Sequence, residues 1–115
     1  MTSAGAQAEA LAADYLMRQG LAIVMRNFRT RAGEIDLIAR DGAMLVFVEV
    51  RLRRSRSFGG AAESITPRKR ARLVAAASGY LASLRHEPPC RFDAILMDAL
   101  DPGAIEWQRD VLAVD

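Results

Sequence analysis

GEIDLIARDGAMLVFVEVR, residues 33–51, is the stretch whose reading decides the fold of this chain. At its centre, Asp41 and Gly42 form the residue pair that most favours a tight hairpin, so the runs on either side are expected to be neighbouring antiparallel strands. MLVFVEV is apolar at both alternating sets of positions, the pattern of a strand covered above and below. Glu49 interrupts it. An unpaired carboxylate there would cost several kcal/mol even after relaxation. Something must compensate that charge or use it.

Upstream of the hairpin, Thr2 or Ser3 can cap a helix whose apolar stripe is Ala4, Ala8, Leu11, Ala12, Tyr15 and Leu16, with Gly20 placed to end it. Glu9 lies beside that stripe. LAIVMRNF then reads as a strand and TRAG as the turn into GEIDLIAR. Downstream, LRRSRSFGGAAES has no sustained period and reads as a mobile surface loop. ITPRKRARLVAAASGYLASLRHEPP reads as a second helix, with Thr66 as N-cap, Pro67 at its first position and a Pro-Pro stop. Its stripe of Leu73, Ala77, Tyr80, Leu81 and Leu84 would pack on the sheet. RFDAILMD is a fourth strand, and AIEWQRDVLAVD one or two short edge strands. The expectation is an α/β fold in the order α-β-β-β-α-β with a short β tail, a mixed central sheet flanked by helices, in a single domain over residues 1–115.

At 115 residues, 51% hydrophobic and 26% charged, the chain can bury one core without disulfides. Its single cysteine, Cys90, rules out an intramolecular disulfide framework and any multi-cysteine zinc site, and suits a reducing cytoplasm. No signal peptide or membrane span is expected from the sequence, which points to a soluble cytoplasmic protein. Net charge is only +2, yet eight of the 16 basic residues fall between positions 51 and 72, opposed there only by Glu63. They are Arg51, Arg53, Arg54, Arg56, Arg68, Lys69, Arg70 and Arg72. A polyanion is the partner this distribution suggests, and a solvated basic surface the alternative.

The one histidine, His86, stands near a helix end beside a Pro-rich stop, which leaves Ser-His-Asp and Cys-His mechanisms without support. Neither GxxxxGK[ST] nor GxGxxG occurs, so no phosphate-binding loop of those kinds is expected. Acid and metal chemistry remains. Glu34 and Asp36 are two apart and project from one face of the second strand; Glu49 and Arg51 do the same on the third. If the hairpin forms, Asp36 and Glu49 come from neighbouring strands. Two carboxylates meeting there repel unless a cation lies between them, and oxygen ligands with room for water suit Mg²⁺ or Mn²⁺. Arg51 beside them would put positive charge where a phosphate oxygen could bind. The competing reading is internal pairing: Glu49 with a neighbouring arginine, and Glu34 or Asp36 with Arg31 or Arg40.

GAQAEALAADYL, RNFR, GEIDLIA, VFVEVR, FGGAAESITPRK and AASGYL, running through residues 5 to 81 and continuing weakly into RFDAI, resemble the successive motifs of the YraN family, whose members are predicted endonucleases. That family is similar in turn to archaeal Holliday junction resolvases and the PD-(D/E)xK phosphodiesterase superfamily. The resemblance implies a restriction-endonuclease-like core and a nuclease-like domain using Mg²⁺ or Mn²⁺. Carried over residue by residue, it makes Glu9 the acid of the first helix, Asp36 and Glu49 the metal-binding pair, and Arg51 the occupant of the position usually held by lysine, with Glu34 in support. Arg53, Arg54, Arg56, Arg68 and Lys69 would hold the nucleic-acid backbone without reading sequence. DNA, branched or junction DNA included, is expected ahead of RNA. Junction-cutting relatives imply a homodimer, although no interface is legible in the sequence.

Arg51 departs from that pattern. Lysine can adjust its pKa and orient or deprotonate water, whereas arginine stays protonated and offers a planar fork of donors. Fifteen of the 16 basic residues are arginine and Lys69 is the only lysine, so a general drift to arginine also accounts for the replacement. Lys69 has three readings: a contact to DNA phosphate, a partial substitute for the missing lysine, or an ordinary surface residue. Tyr80 and Leu81 read as core, Trp107 as a packing residue of an edge strand, and Phe58, Gly59 and Gly60 as a loop near substrate or a flexible turn. Two functions therefore stand: a metal-dependent endonuclease, and a catalytically silent nucleic-acid-binding or partner-binding domain on the same fold. A third reading, in which the acids are only internal ion pairs, predicts neither metal nor DNA binding.

Overall fold

A computed structural model describes residues 3–53 and 66–112 of the chain. Helix α1 (Ala4–Arg18) leads into strands β1 (Ala22–Arg29), β2 (Glu34–Asp41) and β3 (Met44–Leu52), followed by helix α2 (Pro67–Ala82), strand β4 (Cys90–Met97), a single 3₁₀ turn and strand β5 (Ile105–Gln108). The strands form one mixed sheet in sequential order, antiparallel except where β3 runs parallel to β4. That parallel pair needs a crossover, and α2 lies in the connection between its strands. The expected order is thus the observed one, with one strand in the tail. Among the described residues no helix is long and apolar enough to cross a membrane.

Local signals set the element ends. Ser3 caps α1, its Oγ accepting from the Ala6 amide at 3.1 Å, and Thr66 caps α2 by accepting from the Lys69 amide at 3.1 Å. Thr2, the other expected cap, lies outside the described residues, as does the loop carrying Arg54, Arg56, Phe58, Gly59 and Gly60. Gly20 takes φ +95° just beyond α1. Gly42, at φ +61°, turns the hairpin between Asp41 and its partner Met44. The second helix stops at Ala82, well short of Pro88 and Pro89, with Ser83 as its C-cap.

Each face of the sheet carries one helix. On one side Ala8, Ala12, Ala13 and Leu16 of α1 pack on Leu37, Ala39, Val46, Val48, Ile95 and Met97. The buried stripe begins a turn later than expected and takes in Ala13, while Ala4, at the first position of the helix, is exposed. On the other side Ala76, Ala77 and Tyr80 of α2 pack on Ile35, Ile38, Leu45 and Phe47, with Leu81 and Leu84 at the margin. Tyr80 meets Phe28 and Phe47 edge to face.

Candidate active site

Glu49 and Asp36 come together at the point where β2 and β3 stop pairing. The last backbone pair of this ladder is Leu37 opposite Val48. One step further along, Asp36 stands across from Glu49, and the Val50 amide donates 2.8 Å to Asp36 Oδ2. A side chain thus takes over where the ladder ends. That bond fixes the Asp36 carboxylate while using one of its two oxygens.

Helix α2 supplies the opposite wall. A cleft of about 430 Å³ is lined on the sheet side by Glu34, Asp36 and Glu49, and on the helix side by Thr66, Arg68, Lys69, Arg72 and Leu73. Gly33 explains how closely the helix approaches. A Cβ built there would lie 2.3 Å from the Arg72 carbonyl oxygen and 2.8 Å from its carbon, so only glycine lets the turn between β1 and β2 rest against the backbone of α2. The glycine of the GEID motif thereby brings three basic residues over three acids.

The charges are unevenly matched. Burial, followed by the negative charges of Glu49, Glu9 and Glu34, pushes Asp36 up to about 7, against the Val50 amide, which favours the carboxylate. Burial also raises Glu49, with Arg51 opposing and Glu34 adding to the shift. Lys69 Nζ lies 3.0 Å from Glu49 Oε1, whereas Arg51 Nε is 3.9 Å from the same oxygen, too far for a hydrogen bond. Arg51 Nε is buried with no hydrogen-bond partner, the one such side-chain atom among the described residues. Leaving a buried donor unsatisfied costs about 1–3 kcal/mol.

The remaining expected site residues are placed as follows. Glu34 lines the cleft and pairs with Arg29 at 3.6 Å, not with Arg31 or Arg40. Glu9 is half-buried on α1 and its charge is felt at Asp36, but it does not line the cleft. Arg53 turns away to Asp98 at 3.0 Å and Glu106 at 3.7 Å, bridging the end of β3 to β4 and β5. Arg54 and Arg56 lie outside the described residues. Thr66, Arg72 and Leu73 were not singled out as site residues in the sequence, although Arg72 follows Arg68 and Lys69 by one helical turn, a spacing that places them on one face.

A second polar centre, remote from these acids in the sequence, ties down the far strands. Asp93 on β4 is 1% exposed and accepts from Arg91 Nε, Trp107 Nε1 and the Asp110 amide at 3.0, 3.0 and 2.9 Å. Arg91 reaches on to Asp41 at 3.4 Å. Trp107 is therefore a packing residue with a structural hydrogen bond, stacked edge-on to Tyr15 and covered by Arg109.

Residues 8–97 match the model of a family described as "Uncharacterised protein family UPF0102". The chain belongs to the UPF0102 family. A UPF0102 protein of Cupriavidus taiwanensis is 55% identical over 96% of this chain and 83% of its own length. Another UPF0102 protein, from Methylobacillus flagellatus, is 50% identical over 98% and 99%, and a third, from Nitrosospira multiformis, 52% over 96% and 93%. This is the family whose motifs the sequence resembles, and the UPF0102 match takes in Glu9, Asp36, Glu49, Arg51, Lys69 and the anchoring Asp93.

Proposed function

We propose that this UPF0102 chain is a divalent-metal-dependent endonuclease that hydrolyses phosphodiester bonds in DNA, on a core of restriction-endonuclease-like type. One observation carries the reading: a cleft with the half-buried carboxylates of Asp36 and Glu49, beside exposed Glu34, on one wall and three basic side chains on the other. A phosphate bridged to a cation matches both walls at once.

The donor set fits Mg²⁺ or Mn²⁺. Among the described residues no group of three or more His, Cys, Asp or Glu side chains could enclose an ion by itself. Mg²⁺ ordinarily binds through one or two carboxylates, with water and substrate oxygens completing its shell. Asp36 and Glu49 would be those carboxylates, and raised pKa values are what burial and neighbouring acids produce at such groups before a cation arrives. The cation would supply Lewis-acid stabilisation of the phosphate and an activated water.

This chain's own residues do the positioning. Asp36 is held in place by the Val50 amide. Arg68 and Arg72 hold the phosphodiester backbone, and the amino end of α2 adds its partial positive charge. Arg51 does not line the cleft but is a permanently charged donor beside Glu49, suited to stabilising negative charge that develops on phosphate and unsuited to taking a proton. Glu9 contributes negative charge from behind the pair. The silent-binder alternative draws on the same arginine, which cannot do what lysine does as a base.

Incubation of the purified protein with labelled linear duplex, four-way junction and single-stranded DNA, in Mg²⁺, Mn²⁺ or EDTA, tests the proposal. Cleavage of at least one substrate, abolished by EDTA, is expected. DNA binding without cleavage would transfer the reading to the silent binder, and failure to bind DNA would remove the DNA endonuclease and leave of the alternative only a domain that binds another partner.

A further inference from the structure

Lys69 and a divalent cation would compete for the same oxygen. Its ammonium sits 3.0 Å from Glu49 Oε1, on the carboxylate that the nuclease reading gives to the metal, while Asp36 is held by backbone and Arg51 stands off at 3.9 Å. The ion pair is the exchangeable part of the site. Lys69 is about one-third exposed, on a flexible four-carbon stem in the first turn of α2, so it can leave without backbone movement. The ammonium end of the pair is reached by solvent, and its single charge holds one carboxylate less strongly than a dication meeting two.

We propose that Lys69 occupies, in the metal-free protein, the position at Glu49 that a divalent cation takes in the working enzyme, and that metal binding transfers its ammonium to the substrate phosphate. The inference rests on Asp36 and Glu49 being metal ligands. It deepens that reading by making Lys69 a phosphate-positioning residue whose engagement depends on metal. Thr66 orients the exchange, since its Oγ1 holds the Lys69 amide while the side chain turns over the cleft. Once displaced, the ammonium remains on the wall shared with Arg68 and Arg72, where the phosphate is the nearest anionic group the reading supplies. DNA binding and metal binding become coupled through one side chain.

Because Lys69 is the only lysine, protein labelled with ε-¹³C lysine gives a single side-chain signal. Titration with Mg²⁺ is expected to shift that signal saturably, at the midpoint found for Mg²⁺ by calorimetry, and not in Glu49→Gln. Removing the competitor in Lys69→Met should tighten Mg²⁺ binding about fivefold, on the scale of a weak ion pair. Arg85→Met, which removes a charge of the same sign that does not line the cleft, should change it less than twofold. With a duplex oligonucleotide, Lys69→Met should weaken binding severalfold in Ca²⁺ and less than twofold in EDTA. Mg²⁺ bound at Glu49 with an unmoved lysine signal and unchanged affinity in Lys69→Met would overturn the exchange and leave the metal site standing. Absence of Mg²⁺ binding to both wild type and Lys69→Met would overturn the metal site and the exchange with it.

Discussion

Asp36 carries an electrostatic cost that its position predicts. Its proton is held in the fold up to about pH 7 and only to about pH 4 in the unfolded chain. The native state therefore binds more protons between those values, and the metal-free protein should lose stability as pH rises through that window. Asp36→Asn keeps an acceptor for the Val50 amide and removes the titration. In EDTA it should be more stable than wild type at pH 8, by on the order of 2 kcal/mol at about 1.4 kcal/mol per pKa unit with allowance for relaxation. The gap should close towards pH 4. Urea unfolding at several pH values checks this; a gap independent of pH would contradict it. The same proton must leave before a cation binds, so Mn²⁺ affinity should fall as pH drops below about 7.

Two glycines at the scale of elements make opposite predictions. Gly33→Ala drives a methyl group into the Arg72 backbone, which must shift. A cost of roughly 2–3 kcal/mol is expected, with weaker DNA binding as α2 leaves the acids. Gly79 lies inside α2, with Thr30 Cγ2 at 3.7 Å as the nearest contact of an added Cβ. Gly79→Ala should stabilise by about 0.5–1 kcal/mol. Thermal unfolding of the two variants decides whether Gly33 sets the spacing of the cleft. These elements differ in how far the sequence revealed them. The hairpin at Asp41 and Gly42, the Thr66 cap and Pro67 start were legible because turn and cap chemistry is local. The pairing of Asp36 with Glu49 followed from strand alternation across that hairpin. Contact between Gly33 and Arg72, and of Lys69 with Glu49 in preference to Arg51, joins residues distant in sequence, and no local period encodes it. Arg53 shows the same limit: it counts with a basic run in the sequence, yet its guanidinium is on Asp98 and Glu106.

Across the whole molecule, a second polar anchor ties β4 to β5, the tail and the end of β2. Asp93→Ala would leave the Arg91 guanidinium, Trp107 Nε1 and the Asp110 amide without their shared acceptor. A loss of about 3–5 kcal/mol is expected from breaking such a buried pair, read as a lower urea midpoint. RFDAI is readable as a strand, but its aspartate's role as an anchor depends on the tail folding back. The molecule's charge layout makes a further prediction. With a net charge of only +2, the proposed DNA binding would draw on local basic groups such as the wall of α2 more than on the overall field. Binding should weaken steeply with salt, and Arg68→Gln or Arg72→Gln should each lower the slope by about 1.

The most direct test is the rate of Mn²⁺-dependent DNA cleavage by wild type beside Asp36→Asn and Glu49→Gln, prepared identically and confirmed folded. Cleavage by wild type that falls at least about 100-fold in each variant, as removal of a charged group acting in the transition state requires, is the predicted result. Equal cleavage by all three would assign the activity elsewhere and contradict the account.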